Sequence, residues 1–266
     1  MEQAISIGSQ IFSISILRYF LIAGIPFLLF YRFFSTKLKN LKIQHKSASS
    51  KDFIREILHS VQSTAIMAVI AYLVIYTPFR NYTLIYTNIG EYSWWWIPLS
   101  AVIGLVIHDT YFYWMHRLLH HPKLFRHTHL LHHKSTNPSP WTSYSFHFTE
   151  GVAETGILVL LVFILPLHPL AIALFTISGF IINVYGHLGY EVAPKWFRHS
   201  PLFELLNTSV HHNIHHSKFK GNYGLYFRFW DRLMNTEHPD YVKSYDEIQE
   251  RRFGTESRQT REELSP

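Results

Sequence analysis

Five long apolar stretches constrain the fold of this chain more than any other feature. They cover residues 11–34, 61–79, 95–115, 151–166 and 168–188. Each is close to the roughly 20 residues that a helix needs to span a bilayer. Charged residues make up only 16% of the 266 residues, and a soluble chain of this length could not bury five such helices. We therefore expect an all-α integral membrane protein with about four to five membrane-embedded helices.

Two local features refine this expectation. The last two apolar stretches are separated by two prolines, Pro166 and Pro169, which predicts a helical hairpin. Arg18 interrupts the first stretch, so its charge must snorkel, pair with another group, or mark a different helix boundary. The start of the chain lacks a basic region followed by a short apolar run and a cleavage site, so we expect no signal peptide.

The histidines fall in spaced clusters. On a helix, the spacing H-x-x-H-H places three imidazoles at i, i+3 and i+4 on one face, where several can reach one metal ion. A given copy of this motif would arise by chance roughly 0.1 times in a chain of this histidine content. Two such triplets and a third cluster therefore predict a site for two metals. The clusters are His116-Arg-Leu-Leu-His120-His121, His129-Leu-Leu-His132-His133 and His211-His212-Asn-Ile-His215-His216.

Further residues are candidates for the same site. Asn183 and His187 are four residues apart at the end of the hairpin, so His187 is expected to be a ligand. Asn183 is expected to bind metal directly, to bind it through water, or to satisfy a backbone group. His147 lines the site together with Glu150 or has an interfacial hydrogen-bonding role. Asp109 is expected to orient a ligand histidine rather than to bind metal.

His211 is a further candidate for a residue that contacts the metal ligands without binding metal itself. One isolated E-x-x-H pair, Glu56 with His59, is interpreted as incidental because di-iron bundles use two such pairs.

The charge distribution predicts the orientation in the membrane. The segment between the first two stretches is basic, whereas the next connection carries Arg80 alone beside an aromatic belt, so the first segment is expected to be cytosolic. Counting crossings onward places residues 35–60, 116–150 and 188–266, with every histidine cluster, on the cytosolic side. The net charge of +6 is explained by anionic lipid headgroups, and no nucleic-acid motif accompanies it.

The ligand types narrow the chemistry. Imidazole suits iron, zinc or copper, and the absence of cysteine excludes disulfides, thiolate zinc sites and iron–sulfur clusters within this chain. A membrane site with eight or more histidines points to oxygen activation on lipids, with electrons delivered from outside. A histidine-rich metal transporter is the alternative from another class, but it should place ligands along a path at mid-bilayer. A zinc hydrolase would need an H-E-x-x-H motif, which the chain lacks.

The ordered motifs resemble the sterol desaturase and fatty acid hydroxylase superfamily, and in form they are most similar to its sterol C5-desaturase branch. The motifs lie within residues 95–237 and include the paired histidines and the aromatic run before His116. The strings are His108-Asp109-Thr-Tyr-Phe-Tyr-Trp-Met-His116-Arg117-Leu-Leu-His120-His121, His129-Leu-Leu-His132-His133-Lys134, His212-Asn-Ile-His215-His216, Asn222-Tyr-Gly224 and Phe229-Trp230-Asp231-Arg232.

The resemblance implies a single membrane-embedded oxidase domain over residues 1–238, a cytosolic cap that holds two non-haem irons, and a polar tail over 239–266. It implies oxidation of a lipid C–H bond with O2, with a sterol C5-desaturase-like reaction foremost and hydroxylation of a fatty acid, sphingolipid or carotenoid as the alternative. Electrons would come from a b-type cytochrome or a ferredoxin with its NAD(P)H reductase. The membrane would be the endoplasmic reticulum in a eukaryote or the inner membrane in a bacterium.

The ligand set carried over from the resemblance consists of histidines. Where the 2-hydroxylase branch has a histidine pair four residues apart, this chain has Asn183 with His187, which weakens the case for 2-hydroxylation. The expected ligands are His116, His120 or His121, His129, His132, His133, His187, His212, His215 and His216.

Overall fold

The fold is known from a computed structural model that describes residues 2–46 and 48–263, with side chains described as far as Gly254. This part of the chain is helical and contains isolated β-bridges but no extended strand. The five long helices are α1 (Glu2–Phe27, extended by a π-helical segment Leu28–Phe33), α2 (Ser50–Tyr76), α3 (Trp96–Leu119), α6 (Phe148–Ile164) and α7 (Pro169–Gly186). The shorter helices are α4 (Pro122–Thr128), α5 (Leu130–His133), α8 (Pro201–Leu205), α9 (Ser209–Lys218) and α10 (Phe229–Leu233). A further long helix, α11 (Tyr241–Glu263), follows them outside the bundle.

Within residues 2–46 and 48–263, three helical segments are long and apolar enough to cross a membrane. They cover Glu2–Phe33, Ser50–Tyr76 and Pro169–Gly186. The helices α3 and α6, which the sequence also predicted as embedded, pack with them in one bundle. Each long helix contacts its two neighbours in the order α1, α2, α6, α3, α7 and back to α1. The all-helical expectation is confirmed.

Local sequence signals set the helix boundaries. Helix α2 starts earlier than its apolar stretch because Ser49 and Asp52 form a capping box at its amino end. The predicted hairpin is present: α6 ends at Ile164 and α7 begins at Pro169, whose preceding residue His168 accepts a hydrogen bond from a backbone amide of α7. Arg18 lies inside α1, and its Nη1 donates a hydrogen bond to Thr176 Oγ1 on α7 at 3.0 Å.

The remaining helices build a cap at the end of the bundle where α3 and α7 terminate. The segment expected to be a polar tail begins with α11, whose first turns bury Tyr241 and Tyr245 completely in a cluster with Phe203 and Val210. These aromatic rings hold α11 against the cap beside α9. Residues 264–266 of the predicted tail lie outside the described residues.

Candidate metal centre

Nine histidines of the cap and the helix ends converge in two adjacent groups. Within each group, one ring nitrogen from every member lies within 4.8 Å of the corresponding nitrogen of the others. All nine side chains are buried except His120, which is half-buried. The five-histidine cluster contains His116, His120, His129, His133 and His215, and the four-histidine cluster contains His132, His187, His212 and His216.

The two H-x-x-H-H motifs divide their histidines between the clusters in a reciprocal way. The outer pair of the first motif, His129 and His133, joins the five-histidine cluster, whereas the middle residue His132 joins the other. In the second motif, the outer pair of α9 joins the four-histidine cluster and the middle residue His215 joins the five-histidine cluster. Successive residues on a helix are rotated by about 100°, so the side chain at i+4 lies about 40° to one side of that at i and the side chain at i+3 about 60° to the other side. Neither motif therefore makes a complete cluster alone.

The ring orientation of six of these histidines is fixed by hydrogen bonds at Nδ1. Because a carbonyl oxygen only accepts, Nδ1 must carry the proton in five of these bonds, and the neutral ring then presents an unprotonated Nε2. The sixth partner is a carboxylate. The bonds are His116 to Tyr223 O (2.9 Å), His129 to Glu150 Oε1 (2.6 Å), His132 to Ser145 O (3.3 Å), His187 to Asn183 O (2.9 Å), His215 to Gly221 O (2.7 Å) and His216 to Ser135 O (3.0 Å).

The Nε2 atoms face each other at distances that a shared cation explains. His116 and His129 have Nε2 atoms 3.0 Å apart, and the Nε2 of His187 lies 3.3 Å from that of His132 and 3.1 Å from that of His216. Two lone pairs at this separation repel, since neither ring has a proton to donate there. For metal–nitrogen bonds of about 2.1 Å, ligands at right angles lie about 3.0 Å apart and ligands at the tetrahedral angle about 3.4 Å apart. The donor set therefore fits one metal ion in each cluster.

Burial keeps the ligand rings neutral. The pKa values of His129, His132 and His133 lie well below the ordinary value because burial disfavours the charged ring, and neighbouring imidazoles add to the effect. The same causes lower the pKa values of the three clustered histidines of α9, His212, His215 and His216, and burial lowers the pKa of His187 to about 4. At neutral pH all these nitrogens are available to a metal without prior loss of a proton.

Among the residues whose side chains are described, Glu150 is the one carboxylate in direct contact with a cluster histidine. It lies in the first turn of α6, is 1% exposed, and accepts the Nδ1 proton of His129 at 2.6 Å. This arrangement orients a ligand imidazole and raises its basicity. His147, for which the sequence left a site-lining and a hydrogen-bonding role open, accepts the backbone N–H of Thr149 as the N-cap of α6 and belongs to neither cluster.

The structure distinguishes between the two adjacent histidines at the end of α3. His120 joins the five-histidine cluster, with its Nε2 3.1 Å from that of His133. His121 is exposed and caps the amino end of α4 by accepting the backbone N–H of Lys123 at 3.3 Å. Of the two alternatives that the sequence left open, only His120 has the position of a ligand.

The other predicted supporting residues lie near the clusters in different roles. The backbone carbonyl of Asn183 accepts a hydrogen bond from His187 Nδ1, while the side-chain amide of Asn183 donates one to Ser143 O. Asp109 accepts from the backbone amides of Tyr226 and Phe227, so it fixes the loop behind His116 rather than a histidine ring.

His211 is fully buried on α9. Its Nε2 is 3.8 Å from a carboxylate oxygen of Asp231, and it belongs to neither cluster. Asp231 in turn accepts from the backbone amides of Tyr223 and Gly224, next to the carbonyl that orients His116.

A buried carboxylate that the sequence analysis set aside also supports the site. Glu56 of α2 is fully buried and accepts hydrogen bonds from Ser135 at 2.7 Å and Ser139 at 2.6 Å. The backbone carbonyl of Ser135 is the partner of His216 Nδ1. Glu56 thus connects α2 to the segment that orients a ligand, whereas His59, the other residue of the E-x-x-H pair, belongs to neither cluster.

The geometry of the site requires a glycine six residues after His215. Gly221 has a φ of +77°, and a Cβ placed there would lie 2.6 Å from the carbonyl oxygen of Thr236. Its own carbonyl accepts the Nδ1 proton of His215. The turn that orients this ligand therefore accepts no side chain at position 221.

A cavity of about 210 Å³ lies within the helix bundle and extends toward the centre as far as Asn183. Its walls are mainly aliphatic and aromatic, and they come from all five long helices. Asn183, one helical turn before His187, lines the cavity at the end next to the four-histidine cluster.

Buried imidazoles in two groups at the end of a bundle with three candidate spans define a membrane-type helical protein with a candidate di-metal centre. Residues 101–236, just over half of the chain, match the fatty acid hydroxylase family, and the chain belongs to that family.

Curated relatives are similar over comparable lengths. A Delta(7)-sterol 5(6)-desaturase of Gibberella zeae is 32% identical over 171 residues, covering 64% of this chain and 51% of the relative. Lathosterol oxidase of Rattus norvegicus is 30% identical over 200 residues, covering 74% and 65%. A Delta(7)-sterol 5(6)-desaturase of Schizosaccharomyces pombe is 30% identical over 195 residues, covering 73% and 62%. The chain thus spans about half to two thirds of the length of these relatives. No solved structure was found to match it.

Proposed function

We propose that this protein is a membrane-bound non-haem di-iron oxidase that uses O2 to oxidise a C–H bond of a lipid. The observation that carries the proposal is the pair of histidine clusters, in which neutral imidazoles converge through Nε2 atoms 3.0 to 3.3 Å apart. Imidazole ligation alone is compatible with iron, zinc or copper. Iron is favoured because a mainly apolar cavity in the bundle extends to within one helical turn of His187, and because the named relatives are oxidative enzymes of sterols.

The bound irons would supply the redox chemistry that activates O2. The chain itself supplies position and environment. Glu150 and the backbone carbonyls at Tyr223, Gly221 and Ser135 hold the imidazoles with Nε2 inward. Burial excludes water from the ligands, and the cavity leads a lipid from the bundle toward Asn183.

The substrate we propose is a sterol, and the reaction is the introduction of a ring double bond. Two hydrogen atoms leave adjacent carbons, and O2 is reduced to two molecules of water with two further electrons and two protons. Hydroxylation of a fatty acid, sphingolipid or carotenoid would consume the same reductant but leave one oxygen atom in the product. This chain has no cysteine to hold an iron–sulfur cluster. We propose that the two electrons come from a separate donor, such as a b-type cytochrome or a ferredoxin with its NAD(P)H reductase.

We further propose that the centre faces the cytosol. The basic residues between α1 and α2 support this orientation by the positive-inside rule. The four-histidine cluster is completed by His187 at the same end of the bundle, where α7 ends. The membrane would be the endoplasmic reticulum of a eukaryote or the inner membrane of a bacterium.

The test is expression in cells that lack a sterol C5-desaturase, with mass spectrometry of total lipids. We expect a sterol two hydrogens lighter than its precursor, and about two irons per purified chain. His120→Ala should abolish the product, whereas the matched variant His121→Ala should retain it, because only His120 lies in a cluster. A product heavier by one oxygen would support the hydroxylase alternative instead. The proposed activity would be overturned if iron-loaded protein with a competent electron donor formed no oxidised lipid.

A further inference from the structure

The cavity contains ionisable side chains at a depth where a membrane protein rarely places them. Arg18 of α1 and Glu154 of α6 line it among aliphatic and aromatic residues such as Ile157 and Phe175. Arg18 lies in the middle of a candidate span, Glu2–Phe33. An ionisable group inside a membrane bundle is costly unless it pairs or serves a ligand.

The hydrogen-bonding capacity of Arg18 is only partly used. Its Nη1 donates to Thr176 Oγ1 at 3.0 Å, while its buried Nε has no hydrogen-bond partner in the described part of the chain. No carboxylate of the residues described lies within ion-pair distance of the guanidinium, and Glu154 is no exception. A guanidinium has five N–H donors, so most of its donors remain for a molecule in the cavity.

A further ionisable side chain lines the same cavity. His108 of α3 lines the cavity, and its Nδ1 is 2.9 Å from the hydroxyl of Tyr226. Its Nε2 is buried without a partner in the described residues. Two ionisable side chains on different helices thus line one cavity and keep unused hydrogen-bonding capacity, which indicates that the cavity receives a molecule with a polar group.

The position of Arg18 relative to the metal centre is set by α7. Thr176, its partner, is eleven residues before His187, which corresponds to about 16 Å along a helix. The cavity between them is lined mainly by apolar side chains. A ligand that contacts both ends is therefore an elongated lipid with an oxygen atom toward the Arg18 end.

We propose that Arg18 is a specificity-determining residue that binds an oxygen atom of the lipid substrate through the N–H groups that Thr176 leaves free. This inference rests on the proposed oxidase function for the identity of the substrate as a lipid. The oxygen is a hydrogen-bond acceptor, and two sources offer it: the hydroxyl of a sterol or the carboxylate of a fatty acid. An N–H fork of arginine suits both, with the carboxylate able to accept two parallel bonds.

The experiment measures equilibrium binding by the purified full-length protein in detergent, with turnover recorded separately. The probes are lathosterol, cholest-7-ene (the same ring system without the hydroxyl) and oleate. The variants are Arg18→Met, Arg18→Lys and, as a matched control on the same candidate span, Arg32→Met, which lies outside the cavity. A hydrogen bond to a charged group predicts a loss of about tenfold to a hundredfold in affinity.

We expect wild type to bind lathosterol or oleate, and Arg18→Met to bind that probe about tenfold to a hundredfold more weakly, while its affinity for cholest-7-ene is unchanged. Arg18→Lys should restore part of the loss, and Arg32→Met should resemble wild type. Selective loss of lathosterol binding identifies a hydroxyl as the partner, and selective loss of oleate binding identifies a carboxylate. Equal weakening for all probes, no weakening, or no binding by wild type would overturn the proposal.

The two proposals fail in distinguishable ways. Selective binding through Arg18 without any oxidised product would leave this inference standing and overturn the oxidase function. Conversely, oxidation by Arg18→Met with wild-type KM and kcat would overturn the role of Arg18 while the oxidase function stands. A rise in KM for the oxygen-bearing lipid with little change in kcat is the result expected if both are correct.

Discussion

Removing the charge of Glu150 should weaken metal binding at the five-histidine cluster and leave the other cluster largely intact. Glu150 Oε1 accepts the Nδ1 proton of His129 at 2.6 Å, and both side chains are at most 2% exposed. A hydrogen bond to a charged group contributes about 1.5–3 kcal/mol and a neutral one about 0.5–1.5 kcal/mol. Glu150→Gln keeps an acceptor oxygen but loses the charge, so we expect a loss of about 1.4 kcal/mol, or tenfold in metal affinity.

Complete removal of the acceptor should cost more. Glu150→Ala leaves the Nδ1 proton of His129 buried without a partner, and we expect metal affinity to fall by about a hundredfold. Neither variant should unfold the protein, because the second carboxylate oxygen of Glu150 is itself buried without a partner in the described residues and gains little from the present environment.

The assay is metal content per chain after dialysis of detergent-purified protein against a series of chelator concentrations. Wild type should release its two metals in the order of the affinities of the two clusters. The Glu150 variants should release one metal at lower chelator concentration, while the second metal follows the wild-type curve. Glu154→Gln, on the same helix one turn away and outside both clusters, controls for loss of an acidic residue from α6. Simultaneous loss of both metals, or a release curve equal to that of wild type, would refute the reasoning.

Three further predictions concern the turn, the topology and the pH dependence. Gly221→Ala should lower thermal stability and release metal from the five-histidine cluster, because a Cβ would lie 2.6 Å from a backbone oxygen; unchanged metal content would contradict this. Cysteines introduced at Ala48 and Lys218 should be labelled by an impermeant thiol reagent from one side of the membrane and a cysteine at Gly90 from the other, which the cysteine-free chain makes readable. Burial lowers the pKa of His187 to about 4, so the unfolded chain, with a pKa near 6.5, binds more protons between these values. In the metal-free protein, the contribution of His187 to the free energy of unfolding is complete above pH 6.5 and should decrease by up to roughly 3 kcal/mol as the pH falls toward 4. Thermal unfolding at pH 7, 6 and 5 checks this, and a melting temperature independent of pH would contradict it.

The helices of the bundle were predictable because each depends on a local run of apolar residues. The hairpin between α6 and α7 follows from Pro166 and Pro169, and the bounds of α7 agree with the last apolar stretch to within about two residues. The early start of α2 does not follow from the apolar run, because its first three turns mix charged residues such as Lys51 and Arg55 with apolar ones, and the capping pair Ser49 and Asp52 marks the start.

The identity of the clustered histidines was predictable to the same extent. Spacing along a helix is a local property, so the motifs indicated His129, His133 and the histidines of α9 without knowledge of the fold. Which cluster each one joins depends on how α5 and α9 face each other, and no spacing within one motif contains that information. The choice between His120 and His121 is similar, because the chain turns at the end of α3 and directs the two rings apart.

The groups that orient the ligands were hidden for a simpler reason. Most are backbone carbonyls, such as those of Ser135, Ser145 and Tyr223, and every residue has a carbonyl. The exceptions carry a signal that sequence reasoning can use. Glu150 and Glu56 are acidic residues beside apolar stretches, where a buried carboxylate needs a partner.

The reciprocal division of the two motifs determines how the bundle meets the metal centre. Both clusters take histidines from α9 and from the segment 129–133, but His116 and His120 add the end of α3 to one cluster, whereas His187 adds the end of α7 to the other. The cavity reaches Asn183, four residues and about 6 Å before His187 along α7. On α3 it reaches only His108, eight residues and about 12 Å before His116. A lipid in the cavity therefore approaches the centre on the side of the four-histidine cluster, and the five-histidine cluster lies farther from its path.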